Sequence, residues 1–122
     1  MSTGPSSITS ALVVGGVGSL GRQTVKQLLA LEPPPVKVSV FDLRSPPPEH
    51  RIASVEYHEV DITARDQVDA ALAKVQPQVI IHTASPLPTL LDLDLYLRVN
   101  VEGTRNLVES AKVSSASVLY KK

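Results

Sequence analysis

The sequence predicts an α/β fold, a doubly wound parallel sheet of about five strands with helices on both faces. Three observations carry that expectation. Short apolar, β-branched runs recur along the chain, stretches of helical spacing separate them, and a glycine-rich turn joins the first run to the first helical stretch. Alternation of this kind calls for parallel strands joined by right-handed crossovers.

Taken in order, Ala11-Leu12-Val13-Val14 reads as a short buried strand and Arg22 to Leu31 as a helix. Val36 to Phe41 alternates and is rich in β-branched residues, as a second strand should be. Ser45 to Arg51 is a loop containing Pro46-Pro47-Pro48, and Val55 to Val60 is a short polar third strand. Thr63-Ala64-Arg65-Asp66 matches a capping box with Asp in place of Glu. Behind it Val68, Ala71, Leu72 and Val75 fall on one helical face, and Pro77 ends that helix. Val79 to His82 is the fourth strand. Between Leu90 and Lys112, Leu91, Leu93, Leu95 and Leu97 alternate as a strand would. Tyr96, Val99, Gly103, Leu107 and Ala111 nevertheless continue at helical spacing over a length no ordinary strand reaches, so a helix is expected. Ala116 to Tyr120 is the fifth strand. Residues 1–9 are expected to be a flexible N-terminus and residues 10–122 the folded domain.

Bulk properties narrow the function classes. At 122 residues, 43% hydrophobic and 20% charged, the chain has the composition of one folded domain. A formal net charge of +0 removes the general electrostatic argument for nucleic acid or an anionic membrane. With no cysteine there is no disulfide framework, thiolate zinc site or cysteine nucleophile. Met1 to Ser10 does not read as a secretory signal, and no apolar stretch approaches the roughly 18 residues of a membrane span. A soluble cytoplasmic domain is expected. His50, His58 and His82 lack tight ligand spacing, so no metal is expected. There is no Gly-x-Ser-x-Gly elbow, and His82 at a strand end reads as structural rather than as a general base.

The chemistry concentrates where strands end. Gly15-Gly16-Val17-Gly18-Ser19-Leu20-Gly21 joins a strand to a helix N-terminus, where backbone N–H groups and the helix dipole favour a pyrophosphate. Two registers fit: Gly16-x-Gly18-x-x-Gly21, the general dinucleotide fingerprint, and Gly15-x-x-Gly18-x-x-Gly21, the short-chain dehydrogenase variant. Arg22-Gln23 follows Gly21, so the Lys and Ser or Thr of a phosphate-loop NTPase are absent. Asp42 closes the second strand about 20 residues beyond Gly21, where an acidic residue bonds the adenosine ribose of NAD. Arg44, two positions on, would instead favour NADP. Asp61-Ile62 follows the third strand and could hold adenine, or Asp61 could serve only as a turn and helix-entry residue. Thr83-Ala84-Ser85, after the fourth strand, leaves room for a ribose and supplies hydroxyls. The expected ligand is a dinucleotide on a Rossmann-type sheet.

Several segments in order carry a more specific signal. Val13 to Gly21, Phe41-Asp42-Leu43-Arg44 and Val60-Asp61-Ile62-Thr63 are followed by Val79-Ile80-Ile81-His82-Thr83-Ala84-Ser85-Pro86 and Val99-Asn100-Val101-Glu102-Gly103-Thr104-Arg105-Asn106-Leu107. From about Leu12 to about Tyr120 the chain resembles the extended short-chain dehydrogenases, in particular the 3β-hydroxysteroid dehydrogenase branch that includes the sterol-4α-carboxylate 3-dehydrogenases. The resemblance selects the Gly15-x-x-Gly18-x-x-Gly21 register for the pyrophosphate and assigns Asp42 to the ribose. It further implies that Asp61 and Ile62 line the adenine, that Thr83, Ala84 and Ser85 lie along the cofactor, and that Asn100 helps position it. Gly103 is expected to permit close helix packing.

Two departures stand out. The family usually has an aromatic residue at the position of Ser19. Its fifth strand runs into a segment carrying a catalytic serine, followed by Tyr-x-x-x-Lys, whereas this sequence reads Val118-Leu119-Tyr120-Lys121-Lys122 and ends. No catalytic residue is therefore assigned. The expectation is the NAD-binding portion of a truncated 3β-hydroxysteroid or sterol dehydrogenase-like oxidoreductase, inactive as it stands. NADP is an alternative cofactor, and a steroid or sterol substrate is expected only in a full-length form. Self-association through an exposed sheet edge is a further expectation. A non-catalytic NAD(P)-binding regulator and another extended dehydrogenase, such as a nucleotide-sugar epimerase or flavonoid reductase, are the alternatives. Relatives include proteins associated with the endoplasmic reticulum.

Overall fold

Five parallel strands make one sheet in the order β3–β2–β1–β4–β5. They are β1 (Ser10–Val14), β2 (Lys37–Asp42), β3 (Val55–Glu59), β4 (Val79–His82) and β5 (Ser117–Tyr120). The computed structural model describes residues 8–84, 92–114 and 117–120. Helix α1 (Ser19–Leu29) links β1 to β2, a single 3-10 turn (Pro48–His50) lies between β2 and β3, and α2 (Arg65–Val75) links β3 to β4. Before β5, α3 (Leu93–Leu97) runs through a π-helical turn (Arg98–Gly103) into α4 (Thr104–Ser114).

The chain steps outward from β1 to β2 and β3, then crosses β1 to lay down β4 and β5 on its other side. Right-handed crossovers in opposite directions place helices on opposite faces, and the strand side chains divide to match. Ala11, Val13, Val38 and Val40 pack with Val25 and Leu28 of α1. Leu12, Val14, Phe41 and Ile80 pack on the other face with Val68 and Leu72 of α2 and with Leu107 and Ala111 of α4. A period of two thus feeds two cores from one strand, which explains the nearly continuous apolar runs. The doubly wound parallel sheet is as the sequence predicts.

Boundaries differ in informative places. Helix α1 begins at Ser19 rather than Arg22, so Ser19, Leu20 and Gly21 belong to its first turn. Gly21 is tolerated inside a helix because it packs against the backbone of Gly15 and Gly16, where a Cβ would have no room. The capping box does not form. Ala64 is the N-cap of α2 with no side-chain cap bond, and the Thr63 hydroxyl instead donates to Asp61 Oδ1 at 2.6 Å. A carboxylate two residues away is the nearer acceptor and takes the hydroxyl. Helix α2 ends at Val75, before Pro77, with Gln76 in the left-handed conformation at φ 49°. The expected helix through Tyr96 and Ala111 is present, interrupted by the π-helical turn that simple spacing does not announce. Leu90 and Leu91 lie outside the described residues.

Gly103 ends the π turn in contact with the loop after β3, where an added Cβ would sit 2.7 Å from Ile62 Cδ1. Asn106, on the next turn of helix, donates from Nδ2 to the Ile62 carbonyl at 2.8 Å. Together they seat α4 on the loop that carries Asp61 and Ile62. Arg65 reinforces the same packing by bridging Asp69 on α2 and Glu109 on α4 at 2.9 and 2.7 Å.

Candidate functional site

Strand order reverses between β1 and β4, and in an open parallel sheet that point opens a crevice beyond the carboxyl ends of the strands. A cleft of about 540 Å³ lies there. Strand β1 supplies Gly15, Val17 and Gly18 from its following turn, β2 supplies Asp42 and Arg44, β3 supplies Asp61 and Ile62, and β4 supplies Thr83 and Ala84.

The glycine turn is held from three sides. Gly15 N–H donates to the Phe41 carbonyl at 2.7 Å, continuing the β1–β2 ladder one step past the strand. Gly15 itself has φ +83°, and a Cβ there would stand 2.7 Å from the Ala84 backbone and 2.9 Å from Thr83 Oγ1. No side chain but hydrogen fits that conformation and that space. Gly18 N–H then turns back to the Gly15 carbonyl at 3.2 Å and Gly18 becomes the N-cap of α1. No side chain caps this helix and its first turn contains no acid, so its leading N–H groups and positive dipole end are available to an anion.

Asp42 reaches across to the turn. Its Oδ2 accepts the Val17 N–H at 3.0 Å and its Oδ1 accepts the Leu43 N–H at 2.8 Å. A carboxylate offers about four lone-pair sites, so both oxygens retain capacity toward hydroxyls in the cleft. Arg44 is exposed at the same rim.

Asp61 acts structurally in the way the sequence leaves open. Oδ1 accepts both the N–H and hydroxyl of Thr63, and the Asp61 N–H donates to Gln67 Oε1 at 2.9 Å. Its backbone and one oxygen thereby fix the entry into α2, while the residue still borders the cleft. Ile62 is 6% exposed, packed in the core against Gly103, and presents only an edge to the cleft. The Thr83 hydroxyl donates to the Val14 carbonyl at 2.7 Å and so clamps β4 to the start of the glycine turn.

His82 is 1% exposed, and burial pushes its imidazole down to about 4, so the ring is neutral near pH 7. Nδ1 accepts from the Ala84 N–H at 3.3 Å, which leaves the hydrogen on Nε2 to face Thr104 Oγ1 at 3.0 Å. It anchors the β4 end to α4, as expected of a structural histidine.

The remaining expected residues are placed elsewhere. Gly16 packs on Val40, where a Cβ would approach Cγ2 to 2.6 Å. Ser19 borders a neighbouring cleft, and Leu20 lies on a groove along α1. Asn100 sits half-buried in the π turn and is not part of the cleft wall; Leu95 and Val99 close that side instead. Ser85 lies outside the described residues. Sequence reading missed Leu43, Val60, Leu95 and Val99 as cleft residues, and apolar side chains on loops and rims leave no spacing signal. No group of metal-ligating side chains occurs among the described residues, and no helix among them is long and apolar enough to cross a membrane.

The sequence profile of the 3-beta hydroxysteroid dehydrogenase/isomerase family matches residues 12–120. The chain belongs to that family. It is 31% identical over 120 residues to the decarboxylating sterol-4-alpha-carboxylate 3-dehydrogenase of Saccharomyces cerevisiae, covering 93% of this chain and 34% of that protein. It is 35% identical over 117 residues to the Bos taurus sterol-4-alpha-carboxylate 3-dehydrogenase, covering 88% and 31% respectively. The chain thus spans about a third of the length of these curated relatives. Among solved structures, Thermus thermophilus UDP-glucose 4-epimerase in complex with NAD matches with TM-score 0.74 and 27% identity, over 87% of this chain and 34% of that one. A Bordetella bronchiseptica enzyme solved with NAD and UDP matches with TM-score 0.78 over 94% of this chain and 37% of that one; at 21% identity it bears on the fold alone. As a member of the family, the chain carries its Rossmann-type parallel sheet.

Proposed function

We propose that the chain forms the NAD(P)-binding part of a 3β-hydroxysteroid or sterol dehydrogenase-like oxidoreductase. In that reaction class a 3β-hydroxyl is oxidised to a ketone, and NAD bound in the cleft supplies the hydride acceptor. The observation that carries the reading is the convergence of Gly15, Asp42, Asp61 and Thr83, from four strand ends, on one cleft beside an uncapped helix N-terminus.

The residues present fit that group. Gly15 lacks a Cβ where one would close the cradle, so the backbone can approach the pyrophosphate, and the first turn of α1 offers it N–H donors. Asp42 accepts the ribose hydroxyls while the Val17 and Leu43 N–H groups hold its orientation. Asp61, with its turn fixed by Thr63 and Gln67, and the edge of Ile62 border the adenine. Thr83 and Ala84 line the cleft along the cofactor; by family resemblance Ser85 lies along it too and Asn100 helps to position it. These residues bind and orient. The 122 residues contain no Tyr-x-x-x-Lys, so binding without turnover is assigned to them alone.

Calorimetric titration with NAD tests the reading. Saturable binding in the wild type, lost in Gly15→Ala, is the expected result; heat of dilution alone from a folded wild type overturns it. Adding a 3β-hydroxysterol with NAD is expected to yield no protein-dependent NADH absorbance.

A further inference from the structure

Asn106 is out of place by local rules. It lies inside the helix that continues from the π turn into α4, where alanine, leucine or glutamine would be more favourable. Its side-chain amide donates from Nδ2 to the Ile62 carbonyl at 2.8 Å, across 44 positions. Only the nitrogen of that amide can face a carbonyl, so the contact fixes which way the group points. Asn106 is half-buried and is not part of the cleft wall, whereas Ile62 and its neighbour Asp61 are.

The loop after β3 is otherwise held by residues close in sequence. Thr63 donates twice to Asp61 Oδ1, Gln67 Oε1 accepts the Asp61 N–H, and the Ala64 N–H returns to the Asp61 carbonyl at 3.0 Å. These bonds shape the loop but travel with it. Its start is tied to β2, where the Val60 N–H donates to the Asp42 carbonyl at 2.8 Å. Past that point, among the described residues, Asn106 makes the one hydrogen bond to residues 61–64 from outside the loop and α2. Gly103 leaves the space that the Ile62 side chain fills, and the Arg65–Glu109 pair, exposed on both partners, adds little to placement.

We propose that Asn106 is a positioning residue for base recognition, holding the Asp61–Ile62 segment where a purine fits the cleft without touching the purine itself. The inference rests on the dinucleotide reading of that cleft. Without the amide, the carbonyl of Ile62, a residue 6% exposed, loses its partner, and the loop shifts to find another. The binding-competent arrangement becomes a minor population, and apparent affinity falls in proportion to that fraction. Ribose and phosphate would rest instead on Asp42 and the glycine turn, at other strand ends. The loss is therefore confined to ligands that carry the base.

The test compares adenosine 5′-monophosphate with ribose 5-phosphate, which lacks the base. Titration calorimetry is run on the 122-residue protein and its Asn106→Leu, Asn106→Asp and Asn106→Gln variants. Asn106→Leu should weaken the nucleotide about tenfold and ribose 5-phosphate less than about twofold. Asn106→Asp, of the same shape without an amide donor, should show the same pattern and serves if leucine prevents folding. Asn106→Gln keeps the donor on a longer arm and should recover part of the loss. A residue that merely stabilises α4 would weaken both ligands alike or neither, and either result overturns the positioning role. Hydrogen exchange supplies a second readout, in which the Asp61 and Thr63 amides exchange faster in Asn106→Leu while those of β1 do not. Unchanged protection of the loop overturns the role as well. If the folded wild type binds neither ligand, the dinucleotide reading and the positioning role fall together. If it binds both equally, the base is not recognised and the positioning role falls alone.

Discussion

Asp42 Oδ2 accepts the Val17 N–H at 3.0 Å, joining two residues 25 positions apart and tying the end of β2 to the centre of the glycine turn. The acidic residue thereby fixes the glycine turn, on which the proposed reading would rest a pyrophosphate. Asp42→Asn keeps an acceptor for one of its two backbone donors and removes the charge. It should reduce NAD affinity about tenfold and stability by about 1 kcal/mol. Parallel calorimetry and urea melts check this, and an affinity within twofold of wild type would contradict it.

Gly15→Ala places a methyl group 2.7 Å from the Ala84 backbone at φ +83°. Strained φ and backbone collision act together, and a loss of roughly 1–3 kcal/mol in urea melts is expected. Retention of wild-type stability would show that the turn can relax.

Gly103→Ala should cost about 1–3 kcal/mol through overpacking against Ile62. Trimming the neighbour with Ile62→Val should return part of that loss, giving a favourable coupling in a double-mutant cycle. Simple additivity would mean that Gly103 matters for some reason other than this contact.

His82 gives stability a pH dependence of known sign. Its folded value lies near 4 because the ring is desolvated, below the ordinary 6.5, so between these values the unfolded chain binds more protons than the folded one. Its contribution is therefore fully present above about pH 6.5 and falls, by an amount on the order of a few kcal/mol, as pH drops toward about 4. Urea melts across that window should show a steeper decline for the wild type than for His82→Gln. Parallel slopes would rule out the buried imidazole as the source.

What could be read from the sequence follows a physical divide. Val13, Val40 and Ile80 lie in short apolar runs, and their burial on both faces of a parallel sheet leaves a pattern visible in one dimension. Gly15, Asp42, Asp61 and Thr83 were legible because each sits where such a run stops, and strand ends converge in this topology. The start of α1 was not, since Gly21 disfavours helix locally and is tolerated only through contact with Gly15 and Gly16. Thr63 was misread because a capping box and a bond to Asp61 look alike in spacing. Asn106 appeared within a matching segment without a role; its bond to the Ile62 carbonyl spans 44 positions and depends on how α4 is seated.

The strand order has a thermodynamic consequence. The four sequence segments that border the cleft are brought side by side only when the β1 to β4 portion of the sheet has assembled. A nucleotide bound there as proposed would touch every one of them and find nothing comparable to hold in the unfolded chain. Occupancy then adds its full RT ln(1 + [L]/Kd) to global stability, about 2.7 kcal/mol at a hundredfold excess over Kd. The midpoint of thermal unfolding becomes a gauge of ligand concentration, so a simple melt can rank nucleotides without any enzymatic turnover.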